Sequence, residues 1–190
     1  MPYSKEHNLE IRAKIIDSAA RAFRSNGIKN ISVPKIMNGV GLTHGGFYTH
    51  FKNKDHLAEE ACKYAVRNTI SELQKIAQND KPGSGIEKVI YFYLSTAHRD
   101  YPDSGCIIPS ISKEVSNYSI VLKETYTGEV KRIVKFFSET SKKSTKTCSA
   151  LLSIMVGALT LSRSVSDCDF SNEILDSAIK QAIKLINSTN

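Results

Sequence analysis

The sequence predicts an all-α protein, and three observations carry this prediction. Apolar residues recur at helical spacing along nearly the whole 190-residue chain. No segment alternates polar and apolar residues over the length of a strand, and neither an internal repeat nor a low-complexity tract is visible. The composition, 41% hydrophobic and 24% charged, excludes wholesale disorder. We therefore expect about nine helices, divided between a short N-terminal three-helix unit and a larger helical body.

The first helix is predicted over residues 8–25. Ile15, Ala19 and Phe23 recur every four residues and define its buried face. Gly27 marks its end, because glycine readily takes the left-handed conformation that terminates helices. The basic residues of this helix are expected on its solvated side: Arg12, Lys14, Arg21 and Arg24.

A short helix, a glycine turn and a second short helix are predicted between Ser32 and Phe51. Ser32 is expected to cap the first of them, where a proline in the first turn is tolerated. Thr43 is expected to cap the second, which runs over 44–51. This spacing is typical of a helix-turn-helix, whose second helix enters the major groove of DNA.

The outward face of the second short helix is small and polar: Thr43, His44, Gly45, Gly46, Thr49 and His50. Each of the two adjacent glycines costs about 1 kcal/mol relative to alanine inside a helix. A helix with a purely structural role has little reason to carry them. Because glycine lets the backbone approach a base edge or a phosphate closely, the pair favours a DNA contact.

The positive charge of the chain is concentrated at its N-terminal end. The net charge is +7, from 26 basic and 19 acidic residues. Residues 1–54 hold nine of the basic residues and three of the acidic ones, a balance of +6, which leaves +1 for residues 55–190. A basic unit on a near-neutral body indicates contact with a polyanion, although a solvated basic surface would give the same balance.

The body is predicted to contain six further helices, over 54–79, 85–100, 106–115, 117–141, 145–165 and 171–188. Asn53 caps the first of them, and a Pro-Gly-Ser-Gly segment separates it from the second. Pro109 either interrupts the third of these helices or begins it. We place the domain boundary so that residues 1–53 form one domain and residues 54–190 the other.

The stretch from Leu42 to Leu57 resembles the recognition region of the TetR family of transcriptional regulators. The matching positions are the glycine-containing helix followed by Tyr48, His50, Phe51, Lys54, Asp55 and Leu57. The amphipathic first helix, Gly27 and Ser32 match the preceding part of the family pattern, so the resemblance covers about residues 9–57. It implies a helix-turn-helix DNA-binding domain followed by a helical domain for ligand binding and dimerisation.

The resemblance also implies a role for each position of the helix-turn-helix. Base edges or adjacent phosphates would be contacted by Thr43, His44, Gly45, Gly46 and Thr49. The DNA backbone would be held by Ser32, Tyr48, His50 and Lys54. The alternatives are a half-buried core position for Tyr48, a packing role for His50 and a solvated position for Lys54. Because the recognition helix lacks Arg, Asn and Gln, specificity is expected to depend partly on DNA shape.

The body is predicted to bind a small-molecule effector of unknown identity and to form a homodimer. The candidate effector-binding residues are Phe92, Tyr93, Cys106, Tyr118, Tyr126, Phe137 and Met155, and for any single one of them an ordinary core position is the favoured alternative. Residues 148–188 are apolar enough to resemble the dimer interface of the family, the alternative being burial within one subunit. The predicted function is a dimeric repressor that binds a palindromic double-stranded DNA operator and is released by its effector.

The four cysteines, Cys62, Cys106, Cys148 and Cys168, do not have the spacing of a metal site, and we expect free thiols, no metal and no cofactor. Cys106 lies near a predicted helix start, where the helix dipole would lower the pKa of its thiol. This leaves two alternative functions open, a redox or electrophile sensor based on Cys106 and a cysteine enzyme that pairs it with His98. An enzyme is not expected, because no nucleophile motif or phosphate loop is present.

The chain is expected to be cytoplasmic. Its first residues are charged and lack the apolar core of a secretion signal. The longest apolar stretch, residues 150–161, is shorter than the roughly twenty residues that cross a bilayer, so no membrane association is expected.

Overall fold

A computed structural model describes residues 5–80 and 82–188, and over these ranges it contains nine α-helices and one 3₁₀ helix with no strand. The helices are α1 Lys5–Asn26, α2 Val33–Asn38, the 3₁₀ helix His44–Thr49, α3 Lys54–Gln78, α4 Gly85–Tyr93, α5 Thr96–Asp100, α6 Ile108–Val115, α7 Ile120–Ser141, α8 Thr145–Ser164 and α9 Cys168–Asn187. The all-α prediction is confirmed. Residues 1–4 of the first predicted domain, and residues 81 and 189–190 of the second, lie outside the described residues.

Helix ends in the N-terminal half form where the sequence predicts them. Gly27 has a φ of +75° and ends α1. The Ser32 hydroxyl accepts a hydrogen bond from the backbone N–H of Lys35 at 3.3 Å. The Asn53 side chain accepts one from the N–H of His56 at 2.8 Å. Each cap supplies an acceptor for a backbone donor that the helix itself leaves without a partner.

The predicted recognition helix is shorter and more tightly wound than expected. It is a 3₁₀ helix that ends at Thr49 rather than an α-helix over 44–51. The Thr43 side chain makes no capping hydrogen bond, and the backbone carbonyl of Thr43 instead accepts from the N–H of Gly46 at 3.2 Å. Adjacent glycines have low α-helical propensity, which accounts for the difference.

The predicted helix over 85–100 is two helices. Leu94 ends α4 with a φ of −94° and a ψ of +22°, and Ser95 begins α5 by accepting a hydrogen bond from the N–H of His98 at 3.1 Å. The predicted helix over 106–115 begins at Ile108, with Pro109 in its first turn, so the proline begins the helix and does not interrupt it.

Helix α3 joins the body to the N-terminal unit and packs against helices of both. α1 packs against α3 and α6, while α2 packs against the 3₁₀ helix. On the body side, α3 contacts α4 and α7, and α8 lies against α9. The core contains the largest fully buried side chains, among them Phe23, Phe47, Phe51, Tyr93 and Phe137.

Among the described residues, α8 is the one helix whose length and apolar composition would allow it to cross a membrane. Its most apolar window is 39% buried within the protein. Leu151, Met155 and Leu159 have no exposed surface and belong to the core, so one face of this helix is an ordinary core face.

Candidate nucleic-acid interface and effector cavity

The turn between α2 and the 3₁₀ helix sets the position of the predicted DNA-binding residues. Gly41 occupies the left-handed region with a φ of +72°. The backbone N–H of Leu42 donates to the carbonyl of Met37 at 3.0 Å and closes the turn. A β-carbon would be strained at Gly41, so the sharp turn depends on glycine.

The structure places most of the predicted DNA-binding side chains at the surface of this helix-turn-helix. The exposed positions are Ser32, Thr43, His44, Gly45, Tyr48 and Thr49, and the half-buried ones are Gly46, His50 and Lys54. Tyr48 is 65% exposed, which excludes the alternative of a half-buried core tyrosine.

Phe47 and Phe51 anchor the 3₁₀ helix to the core beneath this surface. Their rings stack with centroids 5.5 Å apart, and both side chains are 1% exposed. On the outer side, the ring of Tyr48 lies edge-on to Phe47 at 5.2 Å and tilted against His44 at 5.7 Å. Arg12 places its guanidinium 5.0 Å from the Phe51 ring centroid, a cation–π contact. The exposed Tyr48 is thus held by a buried aromatic pair.

Neither glycine of the recognition helix is required by the packing of the protein itself. A β-carbon built at Gly45 would have no atom within 4 Å. A β-carbon at Gly46 would lie 3.8 Å from Met37 Cε and from Thr43 Oγ1, which is ordinary van der Waals contact. Neither glycine has a positive φ, since among the described residues the glycines with positive φ are Gly27, Gly41 and Gly83.

Burial changes the ionisation of two predicted backbone-binding residues. It lowers the pKa of His50, and the charge of Arg12 lowers it further, so the imidazole is neutral at pH 7. Burial also lowers the pKa of Lys54, an effect that the carboxylates of Glu114 and Asp55 oppose. Burial therefore favours the neutral form of His50, while two nearby carboxylates favour the charged form of Lys54.

A carboxylate of the body holds the loop between α1 and α2. Glu114, near the end of α6, accepts hydrogen bonds through one oxygen, Oε2, from the backbone N–H groups of Ile28 and Lys29, both at 2.8 Å. Its carboxylate fills the space beside Gly27 in which any side chain would overlap it. Ser110, on the same helix, donates to the carbonyl of Arg24 at 2.5 Å. Helix α6 is thereby tied to the end of α1.

A cavity of about 190 Å³ lies in the body between α3, α4 and the segment that follows α4. Its lining includes apolar and aromatic side chains (Leu73, Phe92, Tyr93 and Tyr101) and Glu72. Pockets of this kind, mostly apolar with a few polar groups, are typical of small-molecule sites.

The structure brings together three of the seven predicted effector-binding residues. Phe92, Tyr93 and Cys106 line this cavity, whereas Tyr118 lines a separate cleft with Lys29 and Glu114. The remaining three, Tyr126, Phe137 and Met155, are not part of the cavity lining. Phe137 and Met155 have no exposed surface and belong to the core, and the Tyr126 hydroxyl lies 2.6 Å from that of Ser112.

The environment of Cys106 is opposite to that of a reactive thiol. Its residue is 1% exposed, and burial raises the pKa of the thiol. The expectation that a helix dipole lowers this pKa is therefore wrong, because desolvation outweighs it. The backbone N–H of Cys106, and not its thiol, donates to His98 Nε2 at 2.9 Å. His98 therefore positions the chain here and does not act as a base for the thiol.

The cysteines are free thiols, as predicted. Cys62, Cys106 and Cys148 are buried, and Cys168 is exposed. Within the described ranges, no group of three or more His, Cys, Asp or Glu residues is arranged to hold a metal ion.

Comparison with known proteins places the helix-turn-helix in a family. Residues 15–61 match the bacterial regulatory proteins of the tetR family. The transcriptional regulator TtgR of Pseudomonas putida is 39% identical over 77 residues, which cover 40% of this chain and 36% of that protein. The transcriptional regulator AcrR of Shigella flexneri is 35% identical over 80 residues, which cover 42% of this chain and 37% of AcrR. The chain thus spans little more than a third of the length of these curated relatives.

The fold agrees over a much greater length. The crystal structure of a TetR transcriptional regulator from Chloroflexus aurantiacus superposes with a TM-score of 0.76. The superposition covers 97% of this chain and 98% of that one at 19% identity, a level that establishes the fold alone. Residues 15–61 therefore match the TetR family of transcriptional regulators, and the chain as a whole has the fold of a TetR regulator of known structure.

The matched segment runs from within α1 to within α3 and includes the whole surface described above. The roles assigned to the individual residues remain predictions. The comparisons thus identify the kind of protein and leave open which side chains contact DNA.

Sequence reasoning missed the residues that join the two halves of the molecule. Arg24 was expected on the solvated side of α1 but is 6% exposed. A signal was present, because Arg24 follows the buried Ala20 by four residues and so shares its face. For Glu114, whose partners Ile28 and Lys29 are fixed by the tertiary fold, no comparable periodic signal exists.

Proposed function

We propose that this chain is a dimeric repressor that binds a palindromic operator through the surface of its 3₁₀ helix and is released by a small-molecule effector in the body. The observation that carries the DNA-binding half is the glycine pair, whose missing side chains serve no packing need within the protein. The exposed Tyr48, on the same 3₁₀ helix, and Lys54, at the start of α3, carry groups that suit phosphate oxygens, which position a protein on DNA.

The proposed domains are residues 1–53, which bind DNA, and residues 54–190, which bind the effector and dimerise. Helix α3 begins at Lys54, directly after the Asn53 cap, and belongs to the core of the body. A change in the tilt of α3 would therefore move the helix-turn-helix. The 190 Å³ cavity adjoins α3 through Thr69 and Leu73, which supports it as the effector site.

The proposed dimer forms through residues 148–188. Leu161 is 58% exposed and Phe170 is 51% exposed, and both lie in this segment. Large exposed apolar side chains on two packed helices are typical of a surface that another subunit covers. Light scattering should give twice the chain mass of 21.1 kDa. A particle of 21.1 kDa that still binds its operator would contradict the proposal.

The DNA-binding proposal is tested by anisotropy titration of the purified chain with fragments of the promoter region of its own gene, at several salt concentrations. Lys54→Ala should weaken binding to every sequence about equally and reduce the slope of log affinity against log salt by about 1.8, because each of the two subunits loses one phosphate contact. Lys131→Ala, an exposed lysine on α7, is the matched control and should leave the slope unchanged. An unchanged slope for Lys54→Ala would remove its phosphate contact.

A further inference from the structure

Three buried polar atoms without a hydrogen-bond partner lie around one region of the protein. Within residues 5–80 and 82–188, these atoms are Arg24 Nε, Thr69 Oγ1 and the Tyr93 hydroxyl. Their residues are 6%, 7% and 1% exposed. The thiol of Cys106 lies beside the Tyr93 hydroxyl, and sulfur is a weak hydrogen-bond partner. Because buried polar atoms are rarely left unpaired, three of them in one region indicate a polar occupant.

All three residues line two adjoining cavities. Tyr93 lines the 190 Å³ cavity described above. Arg24 lines a second cavity of about 260 Å³ between α1, α3 and the loop before α6. Thr69 lines both, as do Glu72 and Ser104, so the two spaces share a wall. The first is mostly apolar and aromatic, while the second is polar.

Arg24 is a buried cation that lacks a counterion. Its Nη1 donates to the carbonyl of Asp103 at 3.3 Å and its Nη2 to that of Ala65 at 3.4 Å, while no described carboxylate forms an ion pair with it. Burial lowers the pKa of its guanidinium, which shows how poorly this charge is solvated. A buried charge is costly unless it is paired, so an anionic group beside Nε would be bound strongly.

The carboxylates around the second cavity are engaged elsewhere or face solvent. Asp17 accepts a hydrogen bond from Arg21 Nε at 3.0 Å and another from the Tyr64 hydroxyl at 3.0 Å. Asp103 and Glu72 are exposed, so water screens their charges. None of the three neutralises Arg24 directly.

We propose that the two cavities form one site for a small amphipathic carboxylic acid. Its apolar ring or chain lies in the first cavity beside Phe92 and Tyr93, and its carboxylate accepts hydrogen bonds from Arg24 Nε and the Thr69 hydroxyl. Treating this acid as the effector rests on the proposed function. Because Arg24 belongs to α1 and Thr69 to α3, the bound acid bridges the helix-turn-helix unit and the body.

The probes are phenylacetate, 3-phenylpropanoate and 4-phenylbutanoate, each compared with its primary amide and its primary amine. Calorimetric titration of the full-length chain, without DNA, should show that at least one acid binds at about 5 mM or below, the range for fragments of this size. Its amide, which keeps the shape and loses the charge, should bind at least about tenfold more weakly. The amine should bind more weakly still, because it places a cation against Arg24.

Thr69→Val is the decisive variant, because it removes a hydroxyl that has no partner and preserves the shape of the side chain. The melting temperature should not fall, whereas affinity for the acid should fall about tenfold. Thr127→Val, on α7 and outside both cavities, is the matched control and should bind the acid normally. Arg24→Gln should abolish binding of the acid. If Arg24→Gln does not fold, Thr69→Val still tests the proposal.

Three results would overturn the proposal: no acid binds, the amides bind as well as the acids, or Thr69→Val retains full affinity. Acid binding is measured without DNA and operator binding without acid, so the two proposals fail separately. A chain that binds the acid in a Thr69-dependent way but no operator keeps the site and loses the repressor function.

Discussion

Substitution of Gly46 by leucine separates a DNA-contact role from a structural role for the glycine pair. The β-carbon would meet Met37 Cε and Thr43 Oγ1 at 3.8 Å, so the protein accommodates it without strain. Loss of glycine also restricts the unfolded chain, which stabilises the folded state by about 0.5–1 kcal/mol. For a chain of this length, we expect a rise in melting temperature of about 2 °C.

Operator binding should respond in the opposite direction. The isobutyl group would hold the 3₁₀ helix away from the groove, and affinity should fall at least about 100-fold, equivalent to about 3 kcal/mol. Gly128→Ala on α7, where a β-carbon has no atom within 4 Å, controls for the effect of losing a glycine and should stabilise without changing affinity. Melting temperature and operator affinity are measured on the same samples. Retained affinity in Gly46→Leu would refute the close-approach argument, and lowered stability would show that the glycine is needed for packing.

Three further predictions concern residues of the body. Glu114→Ala should destabilise the protein by about 2 kcal/mol, because the buried N–H of Ile28 loses its acceptor, and the melting temperature should be about 6 °C lower. Glu114→Gln keeps an acceptor oxygen and should lose less stability. Equal losses of stability in the two variants would contradict this role of Glu114. Folding lowers the pKa of His98 from 6.5 to about 4, so the unfolded chain takes up the proton at a higher pH than the folded protein does. The neutral His98 therefore contributes to the free energy of unfolding in full above pH 6.5, and this contribution is lost as the pH drops towards 4. It amounts to about 3 kcal/mol, and denaturant titrations between pH 7 and 4 should show a smaller acid-induced loss for His98→Gln than for the unaltered chain. Iodoacetamide should label the exposed Cys168 before the buried Cys106 in a peptide-mapping time course, and equal rates would show that Cys106 is accessible.

Local sequence signals predicted those parts of the fold that depend on neighbours along the chain. Gly27 ends α1 and Ser32 caps α2 because both effects act within one helical turn. The same reasoning overlooked the break at Leu94, since the apolar spacing continues through it and Ser95 alone signals the new helix. It also assumed an α-helix at His44–Thr49, where the glycine pair that suggested function also lowers helical propensity.

Contacts between distant segments account for what could not be predicted. Arg24 and Asp103 are 79 positions apart, and Ile28 and Glu114 are 86 positions apart. No periodicity links such pairs, because their proximity depends on how α1, α3 and α6 pack. The same holds for the seven candidate effector-binding residues, because their residue types alone could not separate the three that line the 190 Å³ cavity from the four that do not.

The attachment of α6 to the loop before α2 through Glu114 depends on the position of a single atom, Oε2. Both of its hydrogen bonds end on one oxygen atom and both measure 2.8 Å, so a displacement of α6 away from the loop lengthens both of them together. A shift of about 1 Å takes both beyond the length at which a hydrogen bond contributes. The two hydrogen bonds between α6 and the loop before α2 are therefore kept or lost together, and a movement in the body of about 1 Å is enough to break them.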